Sequence, residues 1–162
     1  MLTQILQKTP IWVWALLIGL IALGYSQTRD RSVGLARTVI MPVAMVFLSL
    51  FGMVSAFGAT PTVLGAWLTS CLLVVSLTLT QTAPAGTAYL RSTRQYVMPG
   101  SWLPMGVILA IFMTKYAVGV TLAMQPSLAH SDTFALIVSL LYGLFSGFFA
   151  GRAFRLWRLA LA

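Results

Sequence analysis

The chain has 162 residues, 59% hydrophobic and 7% charged, with a net charge of +8. A soluble domain carries about 25% charged residues, so this chain has too little polar surface to cover a core in water and reads as a polytopic membrane protein. Apart from Lys115, its basic residues stand at the ends of apolar runs and not along one stripe, which argues against nucleic acid as a partner and leaves one transmembrane domain, residues 1–162.

The opening MLTQILQK places Leu2, Ile5 and Leu6 on one helical face. That suits either a short interfacial helix or an extension of the first span. The first apolar run, residues 10–25, follows Lys8 as a signal-peptide core would, but SQTRDR after it offers no small-x-small cleavage site. The run is expected to be a retained helix. Thr9 is expected to cap it, with Pro10 at its first position. The second run covers residues 39–57 and the third 62–79, with the single cysteine, Cys71, inside the third. Cys71 has no partner for an intrachain disulfide and no metal-ligand companion, so it reads as a small packing residue. The fourth run covers residues 102–124 and the fifth 133–156. All five approach or exceed the length that crosses about 30 Å of hydrocarbon. None alternates as barrel strands do, so the expected fold class is all-α with five transmembrane helices.

Orientation follows from the basic residues. Arg29, Arg31 and Arg37 follow the first span, Arg91 and Arg94 the third, and Arg152, Arg155 and Arg158 end the fifth. With five spans these fall on one side, and only Lys8 on the other. The N-terminus is therefore expected outside and the C-terminus in the cytoplasm. Trp12, Trp14 and Trp102 fall near the expected interfaces, as an aromatic belt should.

RTVIMP, residues 37–42, precedes the second span, and RQYVMP, residues 94–99, precedes the fourth. One reading is a duplicated helical hairpin, spans two and three and then four and five, related by an axis along the membrane normal. The other is topology alone, which puts Arg before a helix start in any case. On the first reading Arg37 and Arg94 flank a central axis and could hold an anion or lipid phosphate between two guanidiniums. On the second they anchor helices at lipid headgroups.

Lys115 is the charge that interrupts an apolar run. It stands roughly ten residues from either end of its span, on the order of 15 Å from each surface at 1.5 Å per residue. Its stem reaches part of that distance. The chain has two acidic residues, Asp30 in the cytoplasmic loop and Asp132 at the outer start of the fifth helix, where it is expected to be the N-cap. Neither is expected at the depth of Lys115. The open readings are a neutral lysine, a wet cavity, an anionic ligand or lipid, or neutral acceptors, of which depth counting selects Tyr142. Ile111, Phe112, Val118 and Gly119 share the face of Lys115, and Gly119 leaves room there. An ionisable residue within a span is a candidate functional residue; the structural alternative is a snorkelling lysine in a thinned bilayer.

The fifth span carries Ser139, Gly143, Gly147 and Gly151 at every fourth position. On a helix they form a groove almost free of side chain, into which another backbone fits closely. The groove would take a second copy of the chain, a dimer being favoured, or another helix of the same chain.

Several chemistries lack their residues. The single histidine, His130, excludes a bis-histidine haem within one chain. There is no Cys/His metal set, no carboxylate within a span for proton coupling, no phosphate loop and no Ser/His/Asp set. The chain is expected not to be an enzyme and to need no cofactor and no metal.

The stretch ILQKTPIWVWALLIGLIALGYSQTRDR resembles the start of small, uncharacterised integral membrane proteins of proteobacteria, which share an LQxTPxWVxxLL...LGxxQ opening with basic residues after the first span. Total length and the five-span plan fit as well. The resemblance implies a bacterial inner-membrane location and carries no activity or functional residues. The lysine within a span, the glycine ladder and the hairpin echo lead instead to two expected functions. The first is a channel or transporter component, with Lys115 and Tyr142 at a central polar site and Arg37 and Arg94 at its cytoplasmic mouth. The second is a structural or accessory protein that docks through the glycine ladder to a larger membrane-protein partner, whose acidic residue would meet Lys115.

Overall fold

The computed structural model describes residues 9–81, 86–90 and 95–161. These form five α-helices: α1 (Ile11–Ser26), α2 (Leu35–Phe57), α3 (Pro61–Thr80), α4 (Leu103–Met124) and α5 (Asp132–Leu161). Three short strands accompany them: β1 (Arg31–Gly34), β2 (Ala88–Leu90) and β3 (Gln95–Met98). Four helical stretches are long and apolar enough to cross a membrane, Thr38–Phe57, Pro61–Thr80, Leu103–Met124 and Asp132–Arg158. Helix α1 is apolar and shorter, with 16 residues.

The helices wear their apolar residues outward. On α5, Ala135, Val138, Ser139, Tyr142, Gly143, Ser146 and Gly147 are buried, while Leu136, Ile137, Leu141 and Leu144 are exposed. The buried stripe follows the 3.6-residue period, yet it is the small and polar face. In water that arrangement would expose the wrong side. In lipid it is favourable, because tails solvate leucine and close packing of small residues supplies the helix contacts. The hydroxyls are satisfied locally: Ser139 donates to the Ala135 carbonyl (2.6 Å), Ser146 to that of Tyr142 (2.9 Å) and Thr78 to that of Val74 (2.7 Å). Hydrocarbon would offer them no other acceptor.

The chain divides into two units, Met1–Asp30 with Gly100–Pro126, and Arg31–Pro99 with Ser127–Ala162. In the first, α1 and α4 pack antiparallel. Near the end of α1, a Cβ on Gly24 would lie 2.9 Å from Met105 Cγ. Before its start, the Thr9 hydroxyl hydrogen-bonds the Tyr116 hydroxyl at 2.7 Å. Helix α1 starts at Ile11 with Pro10 as N-cap, so Thr9 is not the cap that its sequence suggests; its hydroxyl is spent on Tyr116. At the other end of this pair Asp30 accepts the Gly100 N–H (2.7 Å), and the Ser101 N–H donates to the Gln27 carbonyl (3.0 Å).

In the second unit α5 is the central element, with α2 antiparallel and α3 parallel to it. Phe57 meets Phe134 edge-on and Ser49 meets Tyr142, which sets the direction of α2. Ser131, not Asp132, caps α5: its carbonyl accepts from Ala135 N–H (2.9 Å) and its hydroxyl from Phe134 N–H (3.5 Å).

The sheet was not foreseen, and it replaces what the sequence suggests are two loops. Strand β3 is central, paired antiparallel with β1 through Val33↔Tyr96 and with β2 through Tyr89↔Tyr96. Alternation along β3 buries Tyr96 and Met98, which pack with Val33 and with Leu156 of α5. The Tyr96 hydroxyl donates to the Leu156 carbonyl at 2.9 Å, tying the sheet to the last turns of α5. Tyr96→Phe should lower stability by about 1 kcal/mol in a detergent melt, because it removes this buried hydrogen bond. Burial, and secondarily Tyr89, push the Tyr96 phenol above its ordinary value. The unfolded chain then gives up this proton first, so the contribution is present below about pH 10 and lost above it. In alkaline titration followed by phenolate absorbance, one late-titrating tyrosine of the native chain should vanish in Tyr96→Phe. Unchanged titration would show that Tyr96 is not the shifted group.

The hairpin echo does not survive in the backbone. RTVIMP lies within helix α2, with Pro42 inside it, whereas QYVM of the second motif forms strand β3. Matching motifs on helix and strand are not structural equivalents. The helices group as α1 with α4 in one unit and as α2, α3 and α5 in the other.

Candidate functional site

The ladder is built into the second unit. Gly143, Gly147 and Gly151 face α3 of the same chain. A Cβ on Gly143 would run into Ser70 Oγ and the Trp67 carbonyl, one on Gly147 would lie 2.5 Å from the Cys71 carbonyl, and one on Gly151 2.7 Å from Thr78 Cβ. Ser139, completing the ladder, is fully buried. Of the occupants expected for this groove, the structure shows another helix of the same chain: α3 lies in it. Cys71 is buried there as a packing residue.

Tyr142 also belongs to this packing. It is buried, and its carbonyl accepts from both Ser49 (3.1 Å) and Ser146 (2.9 Å). The Trp67 indole N–H donates to Ser49 Oγ at 3.3 Å. Trp67, Ser49 and Tyr142 thus link α3, α2 and α5 in one polar relay. Ser49 and Trp67 did not stand out in the sequence, because their spacing becomes meaningful only when three helices meet.

Lys115 belongs to the other unit, so the structure does not join it with Tyr142 in one body. It is the thirteenth of the 22 residues of α4 and is part-buried. Its sequence neighbour Tyr116 carries the hydroxyl that meets Thr9, and Phe112 stacks on Tyr116 with centroids 6.2 Å apart. Because Thr9 pairs with Tyr116, the start of α1 lies level with Lys115. The N–H groups of a first helical turn, of which that of Val13 bonds the Pro10 carbonyl (3.0 Å), therefore stand at mid-height of α4. One turn further along α4, a Cβ on Gly119 would meet nothing within 4 Å.

The side chain of Arg37 and the whole of Arg94 lie outside the described residues, as do Arg91 and residues 1–8. Arg31, Arg152 and Arg155, which served only to orient the chain, come together instead: Arg152 feels the charges of both others. Among the described residues no group of three or more His, Cys, Asp or Glu gathers as metal ligands would.

A family model described as "Family of unknown function (DUF6622)" matches residues 1–162. No curated protein and no solved structure matches the chain.

Proposed function

The chain belongs to the DUF6622 family along its whole length, and for this member we propose a small channel or transporter component with a polar site at Lys115. The observation that carries the reading is the level of that lysine. A cation placed about 18 Å along α4 from Leu103, beside a hydroxyl pair and level with the start of a shorter helix, is a costly arrangement in hydrocarbon and a useful one beside water. Ammonium, hydroxyls and helix-start N–H groups together favour a small anionic or polar solute.

On this reading α1 crosses the bilayer as a fifth, short span, the N-terminus lies outside and the C-terminus in the cytoplasm of a bacterial inner membrane. Arg37 and Arg94 hold lipid headgroups or an anionic group of the solute at the cytoplasmic edge. Self-association, as a dimer, uses faces other than the glycine ladder. The proposed function involves no enzymatic chemistry.

The test is the accessibility of position 115. A Lys115→Cys, Cys71→Ala protein in native membranes should react quickly with a small water-soluble thiol reagent from one side. Protection from both sides would overturn the reading and favour an accessory protein whose Lys115 lies against a partner. Once a solute flux is found, Lys115→Met should reduce it at least tenfold; an unchanged flux would remove Lys115 from the mechanism.

A further inference from the structure

Arg31 and Val33 stand two apart on β1 and so share one face of the strand. Val33 is buried in one cluster with Tyr96, its partner on β3, and with Leu156 of α5, to which Tyr96 is hydrogen-bonded. On α5, Arg152 stands one turn before Leu156, and Arg155 three residues after Arg152, so the two arginines are neighbours on the helix surface. Sheet and helix end thus deliver Arg31, Arg152 and Arg155 to one corner of the second unit. All three are part-buried, and the charges that Arg152 feels, from Arg31 and Arg155, are of its own sign. Arg158, a turn beyond, donates to the Leu79 carbonyl at 3.4 Å.

The level of this corner can be counted. Asp132 begins α5, and Arg152 follows it by 20 residues (152 − 132), about 30 Å along the axis. That is about one hydrocarbon thickness, so Arg152 arrives where phosphates lie when Asp132 is at the opposite surface. Three part-buried guanidiniums repel one another, and an anion between them would reverse the sign of that interaction. Guanidinium offers a planar fork of donors that fits phosphate oxygens two at a time.

We propose that the corner formed by Arg31, Arg152 and Arg155 binds the phosphate group of an anionic ligand. Two sources share this chemistry, the headgroup of an anionic phospholipid and a soluble phosphate.

The test uses the full chain, stripped of lipid in a neutral detergent. Binding is read by thermal shift and by intact-complex mass spectrometry. One probe is phosphatidylglycerol in mixed micelles against phosphatidylcholine; the other is inorganic phosphate against chloride at equal ionic strength. The melt should rise with at least one probe. A rise with phosphatidylglycerol alone assigns the site to lipid, and a rise with inorganic phosphate assigns it to a soluble ligand. Arg152→Gln and Arg31→Gln should each weaken the binding about tenfold, and Arg152→Lys should recover part of it. Without anion, Arg152→Gln should melt no lower than the native chain, since one repulsion is gone. The proposal fails if neither probe shifts the melt or if the glutamine variants bind like the native chain. It fails equally if Arg152→Gln melts well below the native chain without anion, which would make Arg152 a packing residue.

Discussion

Gly143→Val should unfold much of the second unit. A single Cβ at position 143 already meets the Trp67 carbonyl and Ser70 Oγ within contact distance. Ser70 could rotate, but the Trp67 carbonyl belongs to the backbone of α3 and moves only with the helix. Pushing α3 away also parts Gly147 from Cys71 and Gly151 from Thr78, because the three glycines share one groove. Overpacking typically costs 1–3 kcal/mol, and with a whole interface displaced we expect about 3 kcal/mol or more for valine and less for alanine. The measurement is a denaturant or thermal melt in detergent, with oligomeric state followed by light scattering. Gly119→Ala is the matched control. It has open space, so it should be neutral or raise helix stability by up to about 1 kcal/mol. If Gly143→Val melted like the native chain but lost self-association, the groove would be a contact between copies, and the intrachain account would be wrong.

Gly100→Ala should break the joint between α1 and α4. A Cβ there would collide with the Thr28 carbonyl and approach the backbone carbon of Arg29 to 2.9 Å. The constraint is steric and involves backbone on both sides, so no rotamer change relieves it. The same approach lets the Gly100 N–H reach Asp30 Oδ1 at 2.7 Å and the Ser101 N–H reach the Gln27 carbonyl at 3.0 Å. Both bonds should weaken together. We expect a loss of about 2–3 kcal/mol in the first unit and faster hydrogen exchange at the Ser101 amide. Asp30→Asn keeps an acceptor oxygen and should lose less, about 1 kcal/mol. Native-like exchange at Ser101 in Gly100→Ala would show that the close passage is dispensable.

The helices were legible because each is a long apolar run ended by polar or turn-forming residues. The expected runs 62–79 and 102–124 correspond to Pro61–Thr80 and Leu103–Met124 within a residue. Fine features at the ends were not legible. Thr9 and Asp132 have the right chemistry for capping, yet Thr9 is used by Tyr116, and Ser131, one residue earlier than Asp132, caps α5. The sheet was missed because strands of three or four residues carry little periodic signal. The aromatic and β-branched content of QYVM was a hint, but its pairing with Arg31–Gly34 joins segments more than sixty residues apart.

The motif echo failed for a related reason. Six similar residues say nothing about backbone state when one copy continues into a helix and the other pairs with a strand. The ladder shows the opposite balance. Its period alone revealed a groove, since glycine and serine at every fourth position leave no side chain on that face. What lies in the groove was a matter of tertiary structure, and it is α3.

From sequence alone, the scarcity of charge and the length of the apolar runs determine that this protein is helical and suited to a bilayer, because backbone groups in hydrocarbon must be satisfied within each segment. The sequence also identifies Lys115 as an unusual cation and the fifth span as a close-packing surface. Only the tertiary structure decides that α3 fills that surface, that Tyr142 and Lys115 belong to different units, and that Arg31 stands with Arg152 and Arg155. The physical reason is the same in each case. Periodicity along a helix is a local property of the chain, whereas the partner of a face depends on contacts between residues far apart in it, and in lipid such contacts follow close packing and not the separation of apolar from polar residues.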